Sequence, residues 1–189
     1  MIRQKKIKGI RGLQIIVAVL ACTIFNLSAV SAKQNPRILV FYKTAGYHHS
    51  SIAVGLVAIQ KLGTENNFDV DTTLDADKIN ADNLKQYKAV IFLSTTGDIL
   101  NDEQKEAFKK YIESGGGFMG IHAATDCEYN WPWYGNLVGA YFGAHPAQQV
   151  ATLNIVDKNN ISTEELPNPW IRKDEWYSFK WMATGLHEL

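Results

Sequence analysis

Three short apolar runs, each cut off by a cluster of polar residues, constrain the fold of this chain more than any other feature. Arg37 to Tyr42 (RILVFY), Ala89 to Ser94 (AVIFLS) and Phe118 to Ile121 (FMGI) are β-prone and lack the polar alternation of a half-exposed strand, so they read as strands buried on both faces. Helical patterns separate them. After the first run, Ser50 or Ser51 can cap a helix with Ile52, Leu56, Ile59 and Leu62 on one face and Gly63 at its end. After the second, Asn101 and Gln104 stand at capping-box spacing, Ala107, Phe108, Tyr111 and Ile112 form an inner stripe, and Gly115 suits a left-handed helix end. Phe68 to Thr72 alternates like an outer strand, and Asp75 to Lys85 is a polar connection. Strand, helix, strand, helix, strand with short loops implies an α/β domain with a doubly wound, mostly parallel sheet. Further on, Tyr134 to Phe142 reads as a short helix, Val150 to Val156 as a strand and Glu175 to Trp181 as a last extended segment.

With 189 residues, 46% hydrophobic and 20% charged, the chain has the composition of one globular domain. Its start differs from the rest. Arg3, Lys5, Lys6, Lys8 and Arg11 form a basic region without an acid, Leu13 to Ala21 is almost wholly apolar, and Val30-Ser31-Ala32 offers small residues before Lys33. Residues 1–32 therefore read as a signal peptide and 33–189 as the domain, secreted or periplasmic, with no transmembrane span after cleavage. A rival reading makes Cys22 the acylated residue of a lipoprotein, although Leu20 is bulky for that box. Cleavage removes five of the 19 basic residues and none of the 19 acidic ones, leaving a formal charge of −5. That balance argues against nucleic acid as a partner. It also leaves Cys127 alone, so no intramolecular disulfide is expected.

Parallel strands share their direction, so the loops 43–51, 95–98 and 122–126 should emerge on one edge of the sheet, where ligands bind in such folds. They bring together Thr44, His49, Thr95, Asp98, His122 and Asp126, with His145 arriving from beyond the aromatic stretch Tyr129 to Trp133. Imidazole titrates near neutral pH and can ligate a metal or move a proton. His49, His122 and His145 are accordingly candidate ligands for a divalent metal such as zinc, although their spacing matches no compact motif. Trp131, Trp133, Tyr134, Tyr141 and Phe142 suit either packing or an aromatic rim against a sugar ring. Gly120-Ile121-His122-Ala123-Ala124 has the outline of a strand-to-helix elbow, yet carries His where a hydrolase needs Ser or Cys. Cys127, between Asp126 and Glu128, should be a poor thiolate because both neighbours are acidic.

The segments TAGYHHSSI (44–52), GGFMGIHAATD (116–126), WPWY (131–134), GAYF (139–142) through His145-Pro146, and DEWY (174–177) together resemble the ThuA-like (trehalose utilisation) family. The resemblance spans about residues 37–181. It implies a class I glutamine-amidotransferase-like (flavodoxin-like) sandwich and a link to disaccharide and keto-sugar metabolism. It also implies that His122 stands where amidotransferases carry their cysteine, so glutamine hydrolysis by that route is absent. The family usually has a basic residue before the histidine of its first motif where this chain has His48, and His49 is the residue carried over. Members continue past the last motif with further strands and another histidine-containing region, whereas this chain stops at Leu189. A domain lacking its C-terminal part, with reduced stability, is the expectation.

The resulting expectation is a domain that acts on or binds a carbohydrate-derived small molecule. Thr44, Gly46, His49, His122, Asp126, Trp133, His145, Asp174 and Glu175 are the binding candidates, and His122, Asp126 and Glu175 the catalytic ones. A non-catalytic carbohydrate-binding or interaction module on the same scaffold is the alternative.

Overall fold

The structure, a computed structural model, describes residues 34–189, of which Asn35–Leu189 form one compact unit. The expected signal peptide and Cys22 lie outside the described residues. Strands β1 (Arg37–Phe41), β2 (Asp69–Thr73), β3 (Ala89–Leu93) and β4 (Gly117–Ile121) form a parallel sheet in the order β2-β1-β3-β4. This is the α/β architecture expected. The non-alternating apolar runs are explained by two cores, since successive side chains of a strand face opposite sides. Leu39, Phe41, Val90 and Phe92 enter one core with Phe108 and Tyr134, while Val40, Ile91 and Leu93 enter the other with Ile52 and Ile59.

Helix α1 (Ser51–Asn66) covers the second core, and α2 (Ala81–Leu84) and α3 (Asp102–Glu113) help to enclose the first. The start of α3 is the capping box expected: Asn101 Oδ1 accepts from the Gln104 N–H at 2.9 Å, and Gln104 Oε1 accepts from the Asn101 N–H at 3.0 Å. Gly115 takes the left-handed end, at φ 96°. Gly63 does not end α1. The helix runs on to a left-handed Asn67, and Gly63 instead permits close approach, because a β-carbon there would lie 2.7 Å from the Phe68 carbonyl oxygen. The polar stretch 75–85 is more ordered than expected, with a 3₁₀ turn (Ala76–Lys78), α2, and Ile79 and Leu84 fully buried.

Beyond β3 the expectations need more correction. The run 118–121 forms β4 but is not buried on both faces. Among the described residues β4 pairs only with β3, and Met119 and Gly120 are exposed. The helix foreseen over 134–142 is α4 (Pro132–Val138). It stops at Gly139, whose φ of 90° turns the chain into a strand, β5 (Ala140–Ala144). Of the extended segment foreseen over 175–181, the strand is β8 (Ser178–Met182), and Glu175–Tyr177 separate it from a strand that was not foreseen, β7 (Trp170–Asp174). β8 pairs antiparallel with β5, and β7 pairs antiparallel with β6 (Gln149–Leu153). The interruption at 175–177 matters for the site, because it lets Glu175 and Tyr177 turn away from both ladders. Among the described residues no helix is long and apolar enough to cross a membrane.

Candidate functional site

The loops that follow β1, β3 and β4 meet at one edge of the sheet and are bonded to one another. Isolated parallel bridges join Thr44 to Thr96 and Gly97 to Cys127, so the strand order continues into the loops. The Ala45 N–H donates to the Thr96 carbonyl at 2.7 Å, and the Gly97 N–H donates to the Asp126 carbonyl at 2.9 Å. Gly97, at φ 75°, is required here: a β-carbon would stand 3.1 Å from Ala45 Cβ and 3.2 Å from the Gly46 nitrogen. The third loop begins at His122, itself in the left-handed region at φ 54°, and opens a 3₁₀ turn (His122–Thr125). A non-glycine residue held there costs of order 1–3 kcal/mol and occurs preferentially at functional sites.

His49, His122, Glu175 and Tyr177 gather at this edge from three distant segments. The His49 and His122 rings meet edge to face with centroids 4.6 Å apart. His122 Nε2 lies 3.0 Å from the Tyr177 hydroxyl and 3.3 Å from Glu175 Oε2. Burial and the charges of Glu175, Asp126 and Asp174 raise the Tyr177 pKa, so its hydroxyl keeps its proton within hydrogen-bond distance of His122 Nε2. His145 Nδ1 donates to the Pro146 carbonyl at 2.9 Å, and its Nε2 lies 3.8 Å from Glu175 Oε2. A cleft of about 300 Å³ opens here, lined by Tyr47, His49, Asp126, Phe142, His145, Glu175 and Tyr177. Two buried atoms beside it, His49 Nδ1 and Glu175 Oε2, have no hydrogen-bond partner. Burial, followed by the proximity of His122, lowers the His49 pKa and favours its neutral ring.

Of the residues singled out from the sequence, His49, His122, Asp126, His145 and Glu175 come together. The others serve elsewhere. Thr44 Oγ1 lies 3.2 Å from His48 Nδ1, and the Gly46 N–H donates to Thr96 Oγ1 at 3.2 Å, so both shape the first loop. Asp174 accepts from the Glu175 N–H at 2.9 Å and pairs with Arg172, which anchors the approach to Glu175. Trp133 does not line the cleft; it stacks on Trp131 and meets Phe108 edge to face. Thr95 is buried against Cys127, and Asp98 lines a different hollow with Lys43 and Asn101. The Cys127 thiol is pushed up to about 12, chiefly by burial, with the charges of Glu128 and Asp126 as lesser causes. The unreactive thiolate was expected from those charges; desolvation is the stronger reason.

Sequence reasoning passed over Tyr177 and Tyr47, while Phe142, one of the aromatics weighed as packing or rim, lines the cleft. Tyr177 stands two residues after Glu175, the spacing that returns extended side chains to the same side, and that signal could have found it. Glu128 was also missed. It is fully buried, Oε1 accepts from the Ile99 and Leu100 N–H groups at 2.8 Å each, and Lys105 Nζ lies 2.8 Å from Oε2.

The arrangement sets imidazole, phenol and carboxylate groups close to one another beside an aromatic wall, the parts that acid–base chemistry uses. No curated protein matches this sequence. A crystal structure of a ThuA-like protein from Bacteroides uniformis ATCC 8492 is similar over 82% of this chain, at 25% identity and a TM-score of 0.64. The match covers 66% of that protein, so this chain spans just under two thirds of its length. The profile of the family ThuA, trehalose utilisation, matches residues 37–189. Sheet, elbow and family match agree, and this chain belongs to the ThuA family.

Proposed function

We propose that this chain is an exported ThuA-like domain that binds a carbohydrate-derived small molecule, a disaccharide or its keto form, in the cleft beside His122 and acts on it by acid–base chemistry. The observation that carries the reading is the pair of unpartnered buried atoms, His49 Nδ1 and Glu175 Oε2, at the cleft wall. Leaving such atoms unpaired costs about 1–3 kcal/mol each, a cost that hydroxyl groups of a bound sugar would remove. His122 is the central group. Its ring takes up and gives back a proton within the cleft, and the Tyr177 hydroxyl at 3.0 Å, which keeps its own proton, orients it through a hydrogen bond. Asp126 and Glu175 accept sugar hydroxyls, while Tyr47 and Phe142 present aromatic surface to a ring face.

Calorimetry with disaccharides and keto-disaccharides, on the chain and on His122→Asn, tests this. Asparagine tolerates the left-handed backbone of position 122 and removes the imidazole. Loss of sugar binding in a folded variant is the expected result, and unchanged binding overturns the site. Wild-type binding without turnover of any keto-disaccharide would instead assign the non-catalytic module. That alternative draws on the lack of Ser or Cys at the elbow and the buried state of Cys127.

A further inference from the structure

We propose that His49, His122 and Glu175 form a mononuclear site for a divalent transition-metal cation of the zinc type, two imidazoles and one carboxylate closing one side of the cleft. The proposal rests on the reading that this cleft is the site, but its test reads metal in the absence of sugar. One ring nitrogen from each histidine and one carboxylate oxygen of Glu175 lie within 4.8 Å of one another. They come from the loop after β1, the elbow after β4 and the break between β7 and β8, so no sequence motif announces them.

Three features favour a cation over a hydrogen-bonded cluster. The first is that two of the three residues carry a buried polar atom without a hydrogen-bond partner, His49 Nδ1 and Glu175 Oε2. A cation satisfies several such atoms at once; a proton can serve only one or two. The second is geometry. Metal–ligand bonds of about 2.0–2.1 Å in a tetrahedron put neighbouring donors about 3.3 Å apart. His122 Nε2 and Glu175 Oε2 are already 3.3 Å apart. The widest pair in the group must close from no more than 4.8 Å, an adjustment within reach of side-chain rotation. The third is orientation. Gln148 Nε2 donates to Glu175 Oε1 at 3.4 Å, which turns the other oxygen, Oε2, toward the histidines. Outer hydrogen bonds of this kind are what fix metal-binding carboxylates.

His145, a ligand candidate from the sequence, stays outside the set: its Nε2 is 3.8 Å from Glu175 Oε2, and it does not join the group of mutually close donors. Coordination through His122 Nε2 releases the Tyr177 hydroxyl now bonded there and leaves it beside the cation. Two histidines and one glutamate leave the remaining position open toward the cleft, as in catalytic zinc sites, where an oxygen of the ligand can bind.

The test is titration of chelator-treated protein with Zn²⁺, and with Co²⁺ as a coloured probe, without any sugar. One equivalent should bind, with the visible absorption of low-symmetry Co²⁺ and a rise in melting temperature. His49→Ala, His122→Asn and Glu175→Gln, each verified as folded, should each weaken binding by about 100-fold or more, beyond the 10–100-fold typical of outer-shell changes. His48→Ala, on an exposed side chain in the same loop, should leave affinity unchanged. Binding below one equivalent, or Glu175→Gln retaining wild-type affinity, overturns the proposal. So does a His145→Ala loss as large as that of Glu175→Gln, because the ligand set would then be different. Sugar calorimetry on the metal-free chain remains a separate test of the proposed function.

Discussion

Replacing Glu128 should damage this protein more than replacing any group in the cleft. Its carboxylate is wholly buried, receives two backbone N–H groups from Ile99 and Leu100 at 2.8 Å, and faces the Lys105 ammonium at 2.8 Å. It thereby ties the segment before α3 to the segment that carries the elbow. Alanine would strand two buried donors, at about 1–3 kcal/mol each, and remove the partner of a mostly buried ammonium. Breaking a buried ion pair from one side costs about 3–5 kcal/mol. Lys105 retains some access to water, which offsets part of this, so about 3–5 kcal/mol is the expected total for Glu128→Ala. Glutamine keeps an acceptor for the two N–H groups and loses only the charge, for which about 1–3 kcal/mol is expected. Against a typical stability of about 5–15 kcal/mol, the alanine variant would be marginal. Urea unfolding of both variants, with Lys105→Met and the double variant Glu128→Gln/Lys105→Met to complete a cycle, measures each part. A coupling of about 1 kcal/mol or more is expected for the pair. Glu128→Ala costing under about 1 kcal/mol, or glutamine proving as harmful as alanine, would refute the reasoning that unsatisfied burial is what matters.

Three further outcomes follow from the same geometry. Gly97→Ala should cost about 1–3 kcal/mol in urea unfolding, because φ is 75° and the added carbon meets Ala45 and Gly46; a neutral result would mean that the first two loops are free to separate. Cys127 should resist thiol reagents at pH 8 in the folded protein and react only on unfolding, since burial pushes its pKa up to about 12; rapid labelling of native protein would contradict this. Mass spectrometry of material recovered from the cell envelope should find an N-terminus at Lys33, and an intact Met1 in the cytoplasm would end the export argument.

The apolar runs at 37–42 and 89–94, the Asn101–Gln104 capping box and the left-handed Gly115 were legible because strand burial, helix capping and helix termination are local. From them the parallel sheet follows, and from the sheet the edge at which three loops must meet. Local pattern misjudged β4, an edge strand within the described residues, and Gly63, whose missing side chain is a matter of what lies opposite it. It also could not separate 134–142 into α4 and β5, because the aromatic run suits either conformation and Gly139 decides between them. In the site the division is similar. The sequence by itself determined which residue types are available, His49, His122, Asp126, His145 and Glu175, and that the first three of these stand at strand ends. The tertiary structure alone decided that Glu175, 53 residues beyond His122, lies 3.3 Å from its ring, that Tyr177 rather than Trp133 faces the cleft, and that Glu128 is a buried strut rather than a surface charge. The physical reason is that a carboxylate's role depends on which donors reach it in three dimensions, and those donors come from segments whose meeting no spacing along the chain records.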